Sequence, residues 1–160
     1  MILSSQTIRR LQPVKPFMQY KVTRKDVFHG LPLPTVDLSY GLSPMGYDIR
    51  VSERTTPTKM NKGDFRLFHS LEEFNMPNDV CANVSDKSTL IRLGLSVHNS
   101  WIDPGWRGFL TLEVTAMDRS IWILPGMPIA HIVFHRLDEP TDTPYSGKYQ
   151  DQSDKPVEAV

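Results

Sequence analysis

Cysteine is nearly missing from this chain, with Cys81 the single one among 160 residues. No intrachain disulfide can form, which fits a reducing compartment and a buried, inert thiol. An excess of either charge is missing as well. Lys plus Arg number 18 and Asp plus Glu number 18, so no global field draws the protein to nucleic acid or a membrane surface, and any anion site must be local. There is no run of 18 apolar residues and no secretory pattern, so the expectation is a soluble, cytoplasmic protein with neither a membrane nor a nucleic-acid partner. Internal repeats, low-complexity tracts and a sustained helical stripe are absent too. The histidines stand apart, His98, His131 and His135 in probable strands and His29 and His69 in loops. None pairs at ligand spacing beside a helical Glu, so each reads as a packing or surface histidine and no protein-built metal site is expected.

What is present is 39% hydrophobic residues with Gly and Pro throughout, enough for one globular domain over 1–160. Ser4 or Ser5 can cap a short helix over Gln6–Leu11, which Pro13 and Pro16 stop. From Val14 to Pro44 the chain is Pro-rich, with Pro32 and Pro34 flanking Leu33, and reads as an extended arm or loop. Residues 1–45 are therefore expected to form a peripheral N-terminal arm. Gly46–Val51 alternates as a short strand whose Asp48 and Arg50 suit cross-strand ion pairs or ligand contact. Ser52–Gly63 is a loop by composition, and Phe65–Phe68 opens another strand. Ser70 with Glu73 three residues on gives a weak capping box. Ile121–Leu124, the turn Pro125-Gly126 and Ile129–Phe134 read as a hairpin. Short strands with turns roughly every 8 to 12 residues argue an all-β sandwich or barrel-like fold.

The densest stretch runs from Asp86 to Val114. Lys87, Ser88, Thr89 and Arg92 bring two cations and two hydroxyls together, which suits an anionic, oxygen-rich ligand such as a polyphosphate. Asp103-Pro104-Gly105 then makes a tight reversal between strands, in which Asp103 reads first as a turn former. In Phe109–Thr115 a period of two puts Leu110, Leu112 and Val114 on one face and Thr111, Glu113 and Thr115 on the other. On pattern alone Glu113 is a solvated carboxylate of the wet face. Tyr145–Gln152 is a polar, Pro-flanked tail that reads as frayed, or as a lid closing on a ligand that repays its ordering.

The segments KSTLIRLGL, IDPGWRG, LTLEV, PGMPIAHIVF and PYSGKYQDQ, in that order, resemble the metal-independent dCTP deaminases, which group with the trimeric dUTP diphosphatases. The resemblance covers about Gly46–Gln152. It implies a homotrimer of dUTPase-like distorted β-barrels with a short N-terminal helix, residues 1–45 packing around the core and residues 141–160 forming a mobile C-terminal lid. It also turns Ser70–Phe74 into strand rather than helix.

For activity, the resemblance implies hydrolysis of dCTP to dUTP and ammonia. Zinc deaminases need a PCxxC ligand signature that a single cysteine cannot supply, so no zinc is expected. Glu113 matches the glutamate that serves as general base and then acid, with Ser88 holding the water and Arg92 orienting the glutamate. Lys87, Thr89, Lys148 and Gln152 match triphosphate-holding positions, Asp103 the receiver of the deoxyribose 3′-hydroxyl, and Tyr145 a ring over the nucleotide. The main chain at Thr111 and Leu112 would read the pyrimidine edge. Mg²⁺ is expected to accompany the triphosphate, bound mostly by phosphate oxygens and water. Three other readings stay open: a bifunctional enzyme releasing dUMP and pyrophosphate, a dUTP diphosphatase, and a nucleotide sensor. This chain departs from the pattern at two places. Asn99-Ser100 stands where some members have Thr-Ala near the water, and Val114-Thr115-Ala116 follows Glu113 where an aromatic and an asparagine are usual.

Overall fold

Alternation of apolar and polar residues decides most of the architecture. The structure, a computed structural model, describes residues 1–27 and 35–160. His29, Pro32, Leu33 and Pro34, assigned to a loop from sequence, lie outside the described residues. In chain order the elements are α1 (Ser5–Leu11), β1 (Val14–Lys15), β2 (Val22–Val27), β3 (Thr35–Ser43), β4 (Gly46–Arg50), β5 (Thr58–Met60), β6 (Phe65–Asn75), β7 (Val80–Asp86), α2 (Ser88–Arg92), β8 (Leu95–Val97), β9 (Trp101–Ile102), β10 (Arg107–Ala116), β11 (Ile121–Ile123) and β12 (Pro128–Arg136).

Among the described residues three antiparallel sheets form. The largest has the order β2-β3-β4-β12-β7-β9, the second β1-β6-β10-β8, and the smallest pairs β11 with β5. Tyr47 and Ile49 from β4, Ile132 and Phe134 from β12, and Leu112 and Val114 from β10 are all buried in one apolar cluster, so the two larger sheets share a core. The fold is mainly β with a short N-terminal helix, as expected.

Several local expectations change on contact with tertiary structure. The described parts of Val14–Pro44 are no bare arm, because β2 and β3 pair from Val22 opposite Tyr40 to Val27 opposite Thr35, and β3 pairs onward with β4. Alternation in Val36 and Leu38 supplies that pairing despite the prolines. Tyr47 fastens the preceding segment: its hydroxyl accepts from Met18 N at 2.9 Å and donates to Pro16 O at 3.3 Å, and burial pushes its pKa up to about 12. The helix α1 begins after Ser4, whose side chain makes no cap, and ends at Gln12 in the left-handed region.

The segment Ser70–Phe74 is strand within β6, not helix, and His69 lies on the same strand rather than in a loop. Part of the Ser52–Gly63 loop forms β5. The expected hairpin over 121–134 is not one. β11 pairs with β5, while β12 lies between β4 and β7, because the turn through Gly126 (φ 65°) sends the chain from one sheet to another. The turn after Ile102 does the same. β9 pairs with β7 and β10 with β6, so Asp103 stands at a crossing between sheets rather than at the tip of a hairpin.

Candidate functional site

Asp103-Pro104-Gly105-Trp106 closes with Trp106 N donating to Asp103 O at 3.2 Å, and Gly105 takes φ 80°. Proline at the second position and a positive φ at the third are what a type II turn requires. The turn delivers β10, whose burial follows the expected period: Leu112, Val114 and Ala116 are buried, and Thr111, Glu113 and Thr115 are half-buried. Leu110 breaks it. A register shift between Phe109 and Thr111 lets Leu110 N donate to Ser70 Oγ at 2.8 Å and turns its side chain to the same cavity as Thr111 and Glu113. Such a bulge commonly re-aims a side chain beside a site.

That cavity has a volume of about 540 Å³, within the range of small-ligand sites. Asp103, Thr111, Glu113, Tyr145 and Gln152 border it together with Asn99. Among the described residues the Glu113 carboxylate has no hydrogen-bond or ion-pair partner, whereas its backbone is held: His98 N donates to Glu113 O at 2.8 Å. Asn99 completes the strand edge that β8 leaves open. Its Nδ2 donates to Thr111 O at 2.6 Å, and its Oδ1 accepts from Glu113 N at 3.0 Å. The polar groups of Thr111 and Glu113 therefore share one edge, and strand alternation turns the intervening backbone of Leu112 toward β6. The Leu112 side chain is fully buried.

The tail closes the cavity from the other side. Asp151 N donates to Arg107 O at 2.9 Å and Phe109 N to Gln152 O at 3.0 Å, so the tail runs as an added strand on the start of β10. Gly108 permits this approach: a Cβ there would lie 2.4 Å from Gln152 N. Thr111 Oγ1 donates to Gln152 Oε1 at 3.1 Å and accepts from Val157 N at 3.0 Å. Tyr145 accepts from Tyr149 N through its hydroxyl at 3.1 Å. Lys148 is exposed, bonds to Val160 O and does not border the cavity.

The other sequence candidates gather elsewhere. Lys87, Ser88, Thr89 and Arg92 belong to α2 and its start, a helix where the sequence suggested none, and none of them lines the cavity. Ser88 and Arg92, four residues apart and thus on one helix face, are exposed. Lys87 is instead buried against Asp48, Nζ to Oδ2 2.8 Å, while His131 Nδ1 lies 2.7 Å from the other Asp48 oxygen. Burial works to raise the pKa of Asp48, but the His131 and Lys87 contacts outweigh it and hold the carboxyl below its usual value. Arg50 likewise pairs with Glu72, Nε to Oε1 2.8 Å, so both charged residues of β4 serve ion pairs.

A second cavity of about 640 Å³ shares Trp101, Asp103 and Tyr145 with the first and is lined by Cys81. Cys81 is half-buried, and burial pushes its thiol up, as befits an unreactive cysteine. Asn99 is the site residue whose part the sequence did not reveal. Its position four residues before Asp103 was legible only as a departure from a pattern.

Comparison with known proteins bears on these groupings. A family model described as dCTP deaminase-like matches residues 49–137. The dCTP deaminase, dUMP-forming, of Dictyoglomus turgidum is 31% identical over 171 residues, covering 86% of this chain and 88% of that protein. The protein of the same name from Methanoculleus marisnigri is 38% identical over 96 residues, covering 56% of this chain and 51% of its own, so the match spans about half the length of that relative. Among solved structures, the 2′-deoxycytidine 5′-triphosphate deaminase of Agrobacterium tumefaciens superposes with a TM-score of 0.60 at 18% identity, over 84% of this chain and 47% of that one. The native EIAV dUTPase superposes at 0.52 and 18% identity, over 64% and 84%. The fold is thus dUTPase-like, and the chain belongs to the dCTP deaminase-like family.

Proposed function

We propose that this chain hydrolyses dCTP to dUTP and ammonia, with Glu113 as the proton-transfer group. The observation that carries the reading is a carboxylate without a partner among the described residues, facing a nucleotide-sized cavity beside a strand edge whose acceptor, Thr111 O, and donor, Glu113 N, are bonded to the Asn99 carboxamide. Water adds through its oxygen to C4 of cytosine as one proton passes to Glu113 and on to N3. The second water proton follows the same route to N4, the C4–N4 bond breaks, and ammonia leaves a uracil carbonyl behind. A positioned general base of this kind contributes on the order of a hundred- to ten-thousand-fold.

In this reading Asp103 receives the 3′-hydroxyl, Tyr145 covers the nucleotide, Gln152, Lys148, Lys87 and Thr89 hold the triphosphate, and residues 141–160 act as its lid. Lys87 would act from within its pair with Asp48. Ser88 and Arg92 lie outside the cavity yet are exposed on one face of α2, which supports a homotrimer in which a neighbouring copy brings them to Glu113. Mg²⁺ enters this reading as a companion of the triphosphate, where it would neutralise phosphate charge. No described helix is long and apolar enough to cross a membrane, and a cytoplasmic location completes the reading.

A second reading has its own support. Asp103 borders the same cavity, and curated relatives bear the name dUMP-forming, so the carboxylate that receives the 3′-hydroxyl could also activate water at the phosphate. Incubation of the protein with dCTP and Mg²⁺, then with dUTP, separates the readings. Ammonia without pyrophosphate supports deamination alone, ammonia with pyrophosphate supports the bifunctional enzyme, and pyrophosphate from dUTP without ammonia from dCTP overturns the assignment of Glu113.

A further inference from the structure

We propose that Asn99 is a built-in competitor of the nucleobase, seated on the strand edge that reads it. The inference rests on the base-reading part of the proposal above. Its starting point is that two backbone groups fix which way the Asn99 carboxamide faces. Glu113 N–H can only donate, so the atom before it is the amide oxygen, and Thr111 C=O can only accept, so the atom before it is the amide nitrogen. One side chain therefore offers a donor and an acceptor on a single carbon to the edge of β10.

Pyrimidines present the same pair. Cytosine carries an N4 donor beside the N3 acceptor, and uracil an N3 donor beside the O4 acceptor. Each can span Thr111 O and Glu113 N in the sense that Asn99 does. The edge cannot hold both occupants, because the bonds that Asn99 makes are the ones through which a base would be read. Nor is Asn99 an ordinary turn residue: β8 ends at Val97, and the side chain supplies the rung that a continuing strand would have given. Asn99 is half-buried and borders the cavity, so a swing into the open space is available to it.

The closed amide imposes a population cost. If the edge is free in only about one molecule in ten, apparent affinity for a nucleotide falls about tenfold, and removing the amide restores it. The closed state also keeps Thr111 O and Glu113 N satisfied when no base is bound, which spares the empty site two unpaired polar groups.

The test measures Kd for 2′-deoxyuridine 5′-(α,β-imido)triphosphate with Mg²⁺, and for inorganic tripolyphosphate, on wild type and Asn99→Ala. Tightening of the nucleotide on the order of tenfold with no gain for tripolyphosphate is the expected result. Equal or weaker nucleotide binding overturns the proposal, as does an equal gain for both ligands. Should Asn99→Ala fail to fold, the wild-type chain labelled with nitrogen-15 gives the answer. At saturation with the nucleotide the Asn99 side-chain amide resonances should move toward those of a solvated amide, and their staying in place overturns the proposal. Ammonia release from dCTP by wild type tests the deaminase reading separately, so a chain that releases ammonia while Asn99→Ala binds no tighter sinks only the role given to Asn99.

Discussion

Glu72 and Glu113 sit on neighbouring hydrogen-bonded strands, β6 and β10, and have opposite surroundings. Glu72 is fully buried, and both carboxylate oxygens are taken: Arg50 N reaches Oε2 at 2.8 Å and Arg50 Nε reaches Oε1 at 2.8 Å. Burial pushes its pKa up against the pull of Arg50. Glu113 is half-buried, its backbone N–H and C=O both bonded along one strand edge, its carboxyl without a partner among the described residues. The difference teaches where to look for chemistry. A carboxylate whose lone pairs are spent on a fixed cation holds the fold together, while one whose scaffold is rigid and whose oxygens are idle can exchange protons with something that arrives.

Substitutions at the two glutamates should separate activity from stability. Glu113→Gln is expected to lower ammonia release from dCTP by a hundred- to ten-thousand-fold with the melting temperature nearly unchanged, since the amide keeps the shape but accepts no proton. Steady-state ammonia assays and thermal unfolding check this, and unchanged turnover would remove the residue from the mechanism. Glu72→Ala should do the reverse. Leaving Arg50 buried without its partner costs about 3–5 kcal/mol, read as a large fall in denaturation midpoint. Stability close to wild type would show that Arg50 finds another partner.

Gly108→Ala puts a Cβ against Gln152 N, 2.4 Å away, and should loosen the two backbone bonds that dock the tail, weakening nucleotide binding about tenfold while the core stays folded. Titration calorimetry would show it. Acid titration probes the pairs that hold charge instead of using it. The pKa of Asp48 is lowered in the fold from 3.8, so its contribution to stability is complete above that value and is lost as pH falls through the lower folded pKa. Asp48→Asn should therefore flatten the acid limb of the stability curve below about pH 4. At the small end, Ser4→Ala should change stability by less than about 0.5 kcal/mol, because Ser4 makes no side-chain cap.

Much of β10 was legible in advance, because a period of two survives any tertiary context that buries one face. Leu112 and Val114 turned inward and Glu113 away, as the alternation required. Leu110 was not legible, since a bulge is one extra residue and leaves no mark on composition. The hairpin expected over 121–134 failed for a related reason. Strand propensity says that Ile121–Ile123 and Pro128–Arg136 are extended, but partners 44 or more residues away in sequence decided the pairing. The five residues of α2 are too few for a helical period to show. Lys87 and Arg92 look alike as cations in the sequence, yet Lys87 is buried in a pair with Asp48, far off in the chain, while Arg92 is exposed. Asn99 was visible only as a residue out of pattern, since a side chain acting as a strand rung depends on where β8 stops.

The most direct measurement is the structure of the Glu113→Gln variant with dCTP and Mg²⁺ bound. The account predicts cytosine C4 within about 4 Å of the side chain at position 113, with room for one water between them and with Ser88 and Arg92 of a neighbouring copy closing the site. A cytosine ring bound away from that side chain, or a site complete within one copy without α2, would contradict it.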